Sequence, residues 1–193
     1  MRGHQRSFVT QKSGTFYDIL IVGGGVMGSS IAHHLSRRVK GEGVKIGVVE
    51  PDPTYTRSAT TLSVGGLRQQ FSLEENIQMG LFALQFMRGL PAVLGGDPDT
   101  VPDVKFQPHG YLFLASDAGY QILQENHANQ LHCGAATKLL TEPQLGRLFP
   151  WINTEGVVAG CYGADNEGWF DPWALLQAFK VKVNISHVNC TSK

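Results

Sequence analysis

Gly23-Gly24-Gly25-Val26-Met27-Gly28 is the segment of this sequence whose residue types and spacing speak most directly of chemistry. A G-x-G-x-x-G run by itself is a weak signal, since short glycine patterns recur by chance. Its surroundings make it specific: an apolar run before it, a helical pattern after it, a second apolar run, and an acid, Glu50, 22 residues beyond the last glycine. Each part has a physical task in holding a dinucleotide. Gly23 permits the tight turn, Gly25 lets a pyrophosphate approach the backbone, and Gly28 lets helix and strand pack closely. Val26 and Met27, in the turn that leads into the following helix, are candidate cofactor contacts, and the helix N-terminus offers unpaired N–H groups and a positive dipole end to the phosphates. Glu50, followed by Pro51, is placed to accept hydrogen bonds from a ribose diol. A carboxylate there disfavours a 2′-phosphate, so the residues themselves point to FAD or NAD rather than NADP.

The elements that must position these residues are legible as well. Tyr17–Val22 is apolar except for Asp18, the pattern of a strand buried on both faces of a parallel sheet. Ser29–Arg38 reads as a helix with Ile31 and Leu35 on one side and basic residues at its C-terminal end. Val44–Val49 is the second strand. Farther on, Ser72 and Glu75 have capping-box spacing ahead of a helix over Glu74–Gly89, whose broad apolar circumference implies burial on most sides. Residues Pro91–Pro102 read as a Gly/Pro/Asp loop. Val104–Phe106 and Tyr111–Leu114 read as neighbouring strands, Ala118–Leu131 as a helix, Lys138–Leu140 and Val157–Tyr162 as strands. Thr141 with Gln144 forms a second capping box, and Asp171-Pro172 is a helix start with a carboxylate cap and proline at the first helical position. The acids Asp165, Glu167 and Asp171 lie close in sequence, Asp171 being best explained as that cap. Trp151, Trp169 and Trp173 are expected to be packing residues.

Between Glu50 and the Glu74–Gly89 helix lies Ser58-Ala59-Thr60-Thr61-Leu62-Ser63-Val64-Gly65-Gly66-Leu67-Arg68. Joined to the glycine turn and Glu50, this stretch resembles the D-amino-acid oxidase and sarcosine oxidase superfamily. The segments Pro108–Ser116, Phe149–Gly156 and Asp165–Pro172 extend the resemblance over roughly residues 17 to 182. The resemblance implies FAD as the dinucleotide. It also implies that Ser58, Ala59, Thr60, Thr61, Gly65 and Gly66 bring hydroxyls and N–H groups to its phosphates and ring. Some relatives tether flavin through a histidine in this loop; the matching position is Ser63, so a noncovalent flavin is expected. Arg68 sits where some amine-oxidising relatives hold a substrate carboxylate, for which a guanidinium fork is suited. A purely structural Arg68 is the alternative. The substrate implied is a small amine or amino acid.

The fold class so implied is α/β: a Rossmann-like FAD-binding βαβ domain with part of an α+β substrate domain, the C-terminal half of the usual fold being absent. The expected organisation is a basic leader or disordered tail over 1–16, an FAD-binding segment over 17–100, a partial substrate domain over 101–163, a return helix over 164–182 and a divergent tail over 183–193. That tail resembles nothing at the matching place in the superfamily. A truncated isoform, inactive alone and prone to aggregate, is therefore expected. The resemblance extends to a mitochondrial member of the superfamily needed to assemble respiratory complex I. It thus leaves two functions open: an oxidoreductase, or a non-catalytic flavin-binding assembly factor whose partners are complex I assembly intermediates.

Composition narrows the classes further. Sixteen basic and sixteen acidic residues cancel among 193, which argues against nucleic acid and against polybasic membrane attachment. Ile19–Val22 and Val44–Val49 are too short to span a bilayer, so no transmembrane segment is expected. Cys133, Cys161 and Cys190 contain no C-x-x-C pair, and His33-His34 and His132-Cys133 lack zinc-ligand spacing, so no metal is expected. The first seventeen residues carry Arg2, Arg6 and Lys12 with no acid. They resemble the end of a mitochondrial presequence or, equally, a disordered tail.

Overall fold

The computed structural model describes residues 16–95 and 101–182. Most of the leader, the centre of the Pro91–Pro102 stretch and the divergent tail lie outside the described residues.

The chain opens with β1 (Ile19–Val22), α1 (Val26–Arg38) and β2 (Ile46–Val49). The two strands are parallel, with Ile19 opposite Ile46 and Val22 opposite Val49. They form a two-stranded sheet. That explains a departure from the pattern expected of β1: with one strand neighbour among the described residues, its burial alternates, and Val22 is 83% exposed. The buried face of α1 is Gly28, Ser29, Ala32 and His33, whereas Ile31 points to solvent. His33 packs edge-on against Phe179, and burial, followed by the neighbouring His34 charge, lowers its pKa.

Next come β3 (Gly66–Leu67), α2 (Glu74–Arg88) and the short α3 (Leu90–Leu94), the last replacing the first part of the expected loop. The cap of α2 is Leu73 and no side chain caps it, so the Ser72–Glu75 box does not form. Ile77, Leu84 and Met87 are buried, but Met79 and Phe82 are exposed. The helix is therefore covered along one face rather than on most sides.

A second layer consists of β4 (Tyr111–Ala115), α4 (Asp117–His132), β5 (Lys138–Thr141), α5 (Glu142–Leu148) and β6 (Ala159–Gly163). The strands form an antiparallel sheet in the order β4-β6-β5, Cys161 lying between Phe113 and Leu139. Thr141 and Gln144 close the capping box of α5 as expected. Residues Val104–Phe106 are not a strand. Lys105 takes a left-handed φ of 51°, which breaks the extended run, and only Gln107 beyond it bridges to Trp169. The chain then returns through β7 (Gly168–Trp169), antiparallel to β3, to α6 (Pro172–Lys182), which packs on α1. Asp171 caps α6, its Oδ1 accepting the N–H groups of Trp173 at 2.9 Å and Ala174 at 3.1 Å.

One core joins the beginning and end of this path: Leu67, Leu84, Met87, Leu90 and Leu94 pack with Val101, Val104, Leu175, Ala178 and Phe179. The three tryptophans lie outside it. Trp151, Trp169 and Trp173 are all exposed, which corrects their expected packing role; Trp169 instead donates its indole N–H to His109 Nδ1 at 3.3 Å. No helix among the described residues is long and apolar enough to cross a membrane.

Candidate functional site

Gly23 has φ 101°, a conformation that favours glycine, and its N–H donates to Val49 O at 2.8 Å, tying the turn to the end of β2. Gly28 lies so close to the Gly23 carbonyl that a Cβ would collide with it, which is the close helix–strand approach expected of this position. Gly25 is different. A Cβ there would meet only Ser58 Oγ, at 3.6 Å, so the space above the turn is open. No side chain caps α1, and its first turn carries no acid. The turn thus presents an uncapped, positively polarised helix start, carrying Val26 and Met27, beside a glycine with room in front of it.

Glu50 follows β2 and is partly buried. Its Oε2 accepts the Gly24 N–H at 2.7 Å and its Oε1 accepts the Asp52 N–H at 2.9 Å. Each carboxylate oxygen keeps a second acceptor direction, so these bonds orient the group without saturating it. A cleft of about 390 Å³ opens here between Glu50, Pro51, Asp52, Tyr55, Arg57 and Ser58. Asp52 is held down to about 2, foremost by the side-chain hydroxyls of Thr54 and Thr56.

The loop from Ser58 to Gly66 folds on itself. Ser58 N–H donates to Tyr55 O at 3.1 Å, Thr61 Oγ1 to Tyr55 O at 2.8 Å, and Ser63 Oγ to Thr60 O at 2.8 Å. Ala59 is exposed, and Thr60 is partly buried. Gly65, with φ 65°, packs against the Phe170 carbonyl, and Gly66 packs under the Tyr111 hydroxyl. These two glycines therefore have a packing reason in addition to any ligand.

Arg68 lies just past β3. Its guanidinium sits 4.6 Å from the centre of the Phe71 ring and 5.4 Å from that of Phe113. It borders two clefts, one of about 340 Å³ with Asn76, Met79 and Tyr111, the other of about 250 Å³ with Gln70, Asn126 and Gln130. What holds Arg68 in place is not legible in the sequence. Glu167, 1% exposed, accepts the N–H groups of Gln69 and of Gln70 on Oε1, the latter at 2.9 Å. Its Oε2 accepts Gln70 Nε2 at 2.7 Å. Burial raises the Glu167 carboxyl, while these bonds and the Arg68 charge pull it down. In the sequence Glu167 is only one of three nearby acids; its place immediately ahead of Gly168 and the short return strand β7 is the signal that could mark it.

The family model described as "FAD dependent oxidoreductase" (DAO) matches residues 18–184. The chain belongs to the FAD-dependent oxidoreductase family. Among relatives, FAD-dependent oxidoreductase domain-containing protein 1 of Xenopus laevis is 54% identical over 166 residues, covering 86% of this chain and 33% of that protein. Its Drosophila melanogaster homolog is 48% identical over 166 residues, covering 86% and 31%. The chain spans about a third of the length of the curated relatives it matches. Of solved structures, L-proline dehydrogenase from P. horikoshii superposes with a TM-score of 0.71 at 26% identity, covering 89% of this chain and 43% of that one. Glycine oxidase from Geobacillus kaustophilus, at 20% identity, shares the fold with a TM-score of 0.71 over 89% and 46%. The α/β fold class and the superfamily resemblance are those this family has.

Proposed function

We propose that this chain supplies the nucleotide-binding turn and one wall of the substrate site of a flavoprotein that oxidises carboxylate-bearing amines, with FAD held noncovalently. The observation that carries the reading is the open space before Gly25 next to the uncapped start of α1, with the Glu50 carboxylate oriented nearby. These residues fit the ADP half of FAD. Unclaimed N–H groups suit the pyrophosphate, and an acceptor with free lone pairs suits the ribose diol. The name of a relative such as L-proline dehydrogenase supports an amino-acid-like substrate.

FAD, when bound, supplies a two-electron acceptor for a hydride equivalent from the carbon bearing the amine. The remaining work belongs to the chain. Arg68 pairs with the substrate carboxylate, and Phe71 and Phe113 limit its rotation while excluding water. Glu167, through Gln69 and Gln70, fixes the backbone from which Arg68 projects. Flavin absorption bands in the purified chain, released wholly into the supernatant on denaturation, test the cofactor; colour that stays with the polypeptide defeats the noncovalent assignment. In a flavin-loaded protein, Arg68→Ala is expected to leave flavin content unchanged and to raise KM for a carboxylate-bearing amine. Unaltered kinetics would return Arg68 to a structural role.

A second reading is a flavin-binding assembly factor for respiratory complex I, acting in mitochondria. The exposed apolar side chains Leu62, Val64, Met79 and Phe82 favour it, since they offer a surface for another protein. The acid-free, basic first seventeen residues favour the mitochondrial address. Co-purification with complex I subunits from mitochondria, without amine turnover, would support this role over the first. Cytosolic recovery of the tagged chain would defeat it.

A further inference from the structure

Tyr55 is 2% exposed although it belongs to a surface loop, and its backbone takes a φ of 57°. A bulky residue in the left-handed region persists only where its surroundings over-determine it. Here they do. The Tyr55 N–H donates to Asp52 O at 3.0 Å, and the Tyr55 carbonyl accepts from Ser58 and Thr61. The side chain runs beneath the glycine turn. A Cβ placed on Gly24 would lie 3.0 Å from the phenol oxygen, 3.0 Å from Glu50 Cβ and 3.4 Å from Glu50 Oε2, so phenol and carboxylate crowd the same side of Gly24. The hydroxyl is buried with no hydrogen-bond partner among the described residues. Burial, and after it the Glu50 charge, raises its pKa. On its other side the ring carries the Lys180 ammonium, 4.3 Å from its centre, so α6 reaches back to this loop.

The two backbone donors that orient Glu50 belong to Gly24 and Asp52. Tyr55 braces both: its phenol oxygen occupies the space a side chain on Gly24 would take, and its own backbone N–H bonds Asp52. The geometry points to Tyr55, steadied by Lys180, as the positioning residue that aims the Glu50 carboxylate and so sets the preference for a free ribose 2′-hydroxyl over a 2′-phosphate. This rests on the reading of the glycine turn as a dinucleotide site. Without the phenol, Gly24 and its N–H gain freedom, the carboxylate turns away, and a 2′-phosphate no longer meets a fixed like charge. An overall weakening of the loop would instead cost both kinds of nucleotide alike.

Titration calorimetry of the chain with ADP and with its 2′-phosphorylated counterpart separates these. Wild type is expected to prefer ADP. Tyr55→Leu is expected to narrow the ratio of the two dissociation constants by threefold or more, and Tyr55→Phe, which keeps the ring under Lys180 but removes the phenol oxygen beside Gly24, to narrow it by a smaller factor. Lys180→Met, at a partly exposed position, is expected to narrow the ratio by a smaller factor with an unchanged circular dichroism spectrum. That keeps the test decisive should Tyr55→Leu fail to fold. Affinities that fall equally for both nucleotides, or a wild-type ratio in both Tyr55→Leu and Lys180→Met, overturn the inference and leave the dinucleotide site standing. A wild-type chain that binds neither nucleotide overturns the reading of the turn itself.

Discussion

Gly25 and Gly28 are separated by two residues and answer to different demands. Gly25→Val places a side chain in open space next to Ser58, so it is expected to cost the fold no more than about 1 kcal/mol at this cap position while abolishing flavin retention. Gly28→Ala drives a methyl into the Gly23 carbonyl and is expected to cost about 1–3 kcal/mol before any ligand is considered. Thermal melts with and without FAD distinguish the two, and a Gly25→Val protein that retains flavin would displace the phosphates from this turn. Glu167 makes a prediction of the opposite kind, about protons. Its carboxyl is raised by burial, so the folded state holds the proton more tightly than the unfolded one. That contribution to stability is complete below the ordinary carboxylate range and is lost as pH rises through the raised value. Glu167→Gln should remove this part of the pH dependence in denaturant titrations; an identical pH profile would contradict the assignment. The glycines were legible because each works through its own backbone and has a fixed sequence offset. Glu167 was not, because its partners Gln69 and Gln70 lie almost a hundred residues away and no local pattern announces them.

At the level of elements, local signals succeeded where the partner was local too. Asp171 and Pro172 mark the start of α6 because the carboxylate bonds N–H groups two and three residues on. Asp171→Ala is therefore expected to destabilise the protein by about 1 kcal/mol, read as a lower denaturation midpoint. Asp171→Asn should recover most of it, and no loss on going to alanine would refute the cap. The Thr141–Gln144 box formed for the same reason. The Ser72–Glu75 pair has the same spacing and did not, because Leu73 takes the cap position. Burial was the less legible quantity. Tyr17–Val22 and Glu74–Gly89 carry enough apolar residues to be enclosed, yet Val22 and Phe82 face solvent. Periodicity reports which faces can be covered, while the number of neighbouring elements decides whether they are.

For the molecule as a whole, those uncovered faces matter collectively. Leu20, Val22 and Ile31 are exposed on the β1–α1 unit, and Met79 and Phe82 on α2. Apolar surface of this extent favours association. The chain alone is expected to self-associate as its concentration rises, and Met79→Lys with Phe82→Glu to shift light-scattering mass toward the monomer. A wild-type chain monomeric at every concentration would count against this. The shared core has a consequence in time. Leu67, Leu84 and Leu94 are complete only when Leu175, Ala178 and Phe179 pack on them, so the innermost contacts span about a hundred residues of chain. During synthesis the glycine turn and its two strands leave the ribosome early but must wait for α6 before their surroundings close. A nascent chain stalled ahead of Pro172 would hold every residue of the nucleotide turn and still lack the helix that steadies it, leaving its apolar faces to chaperones.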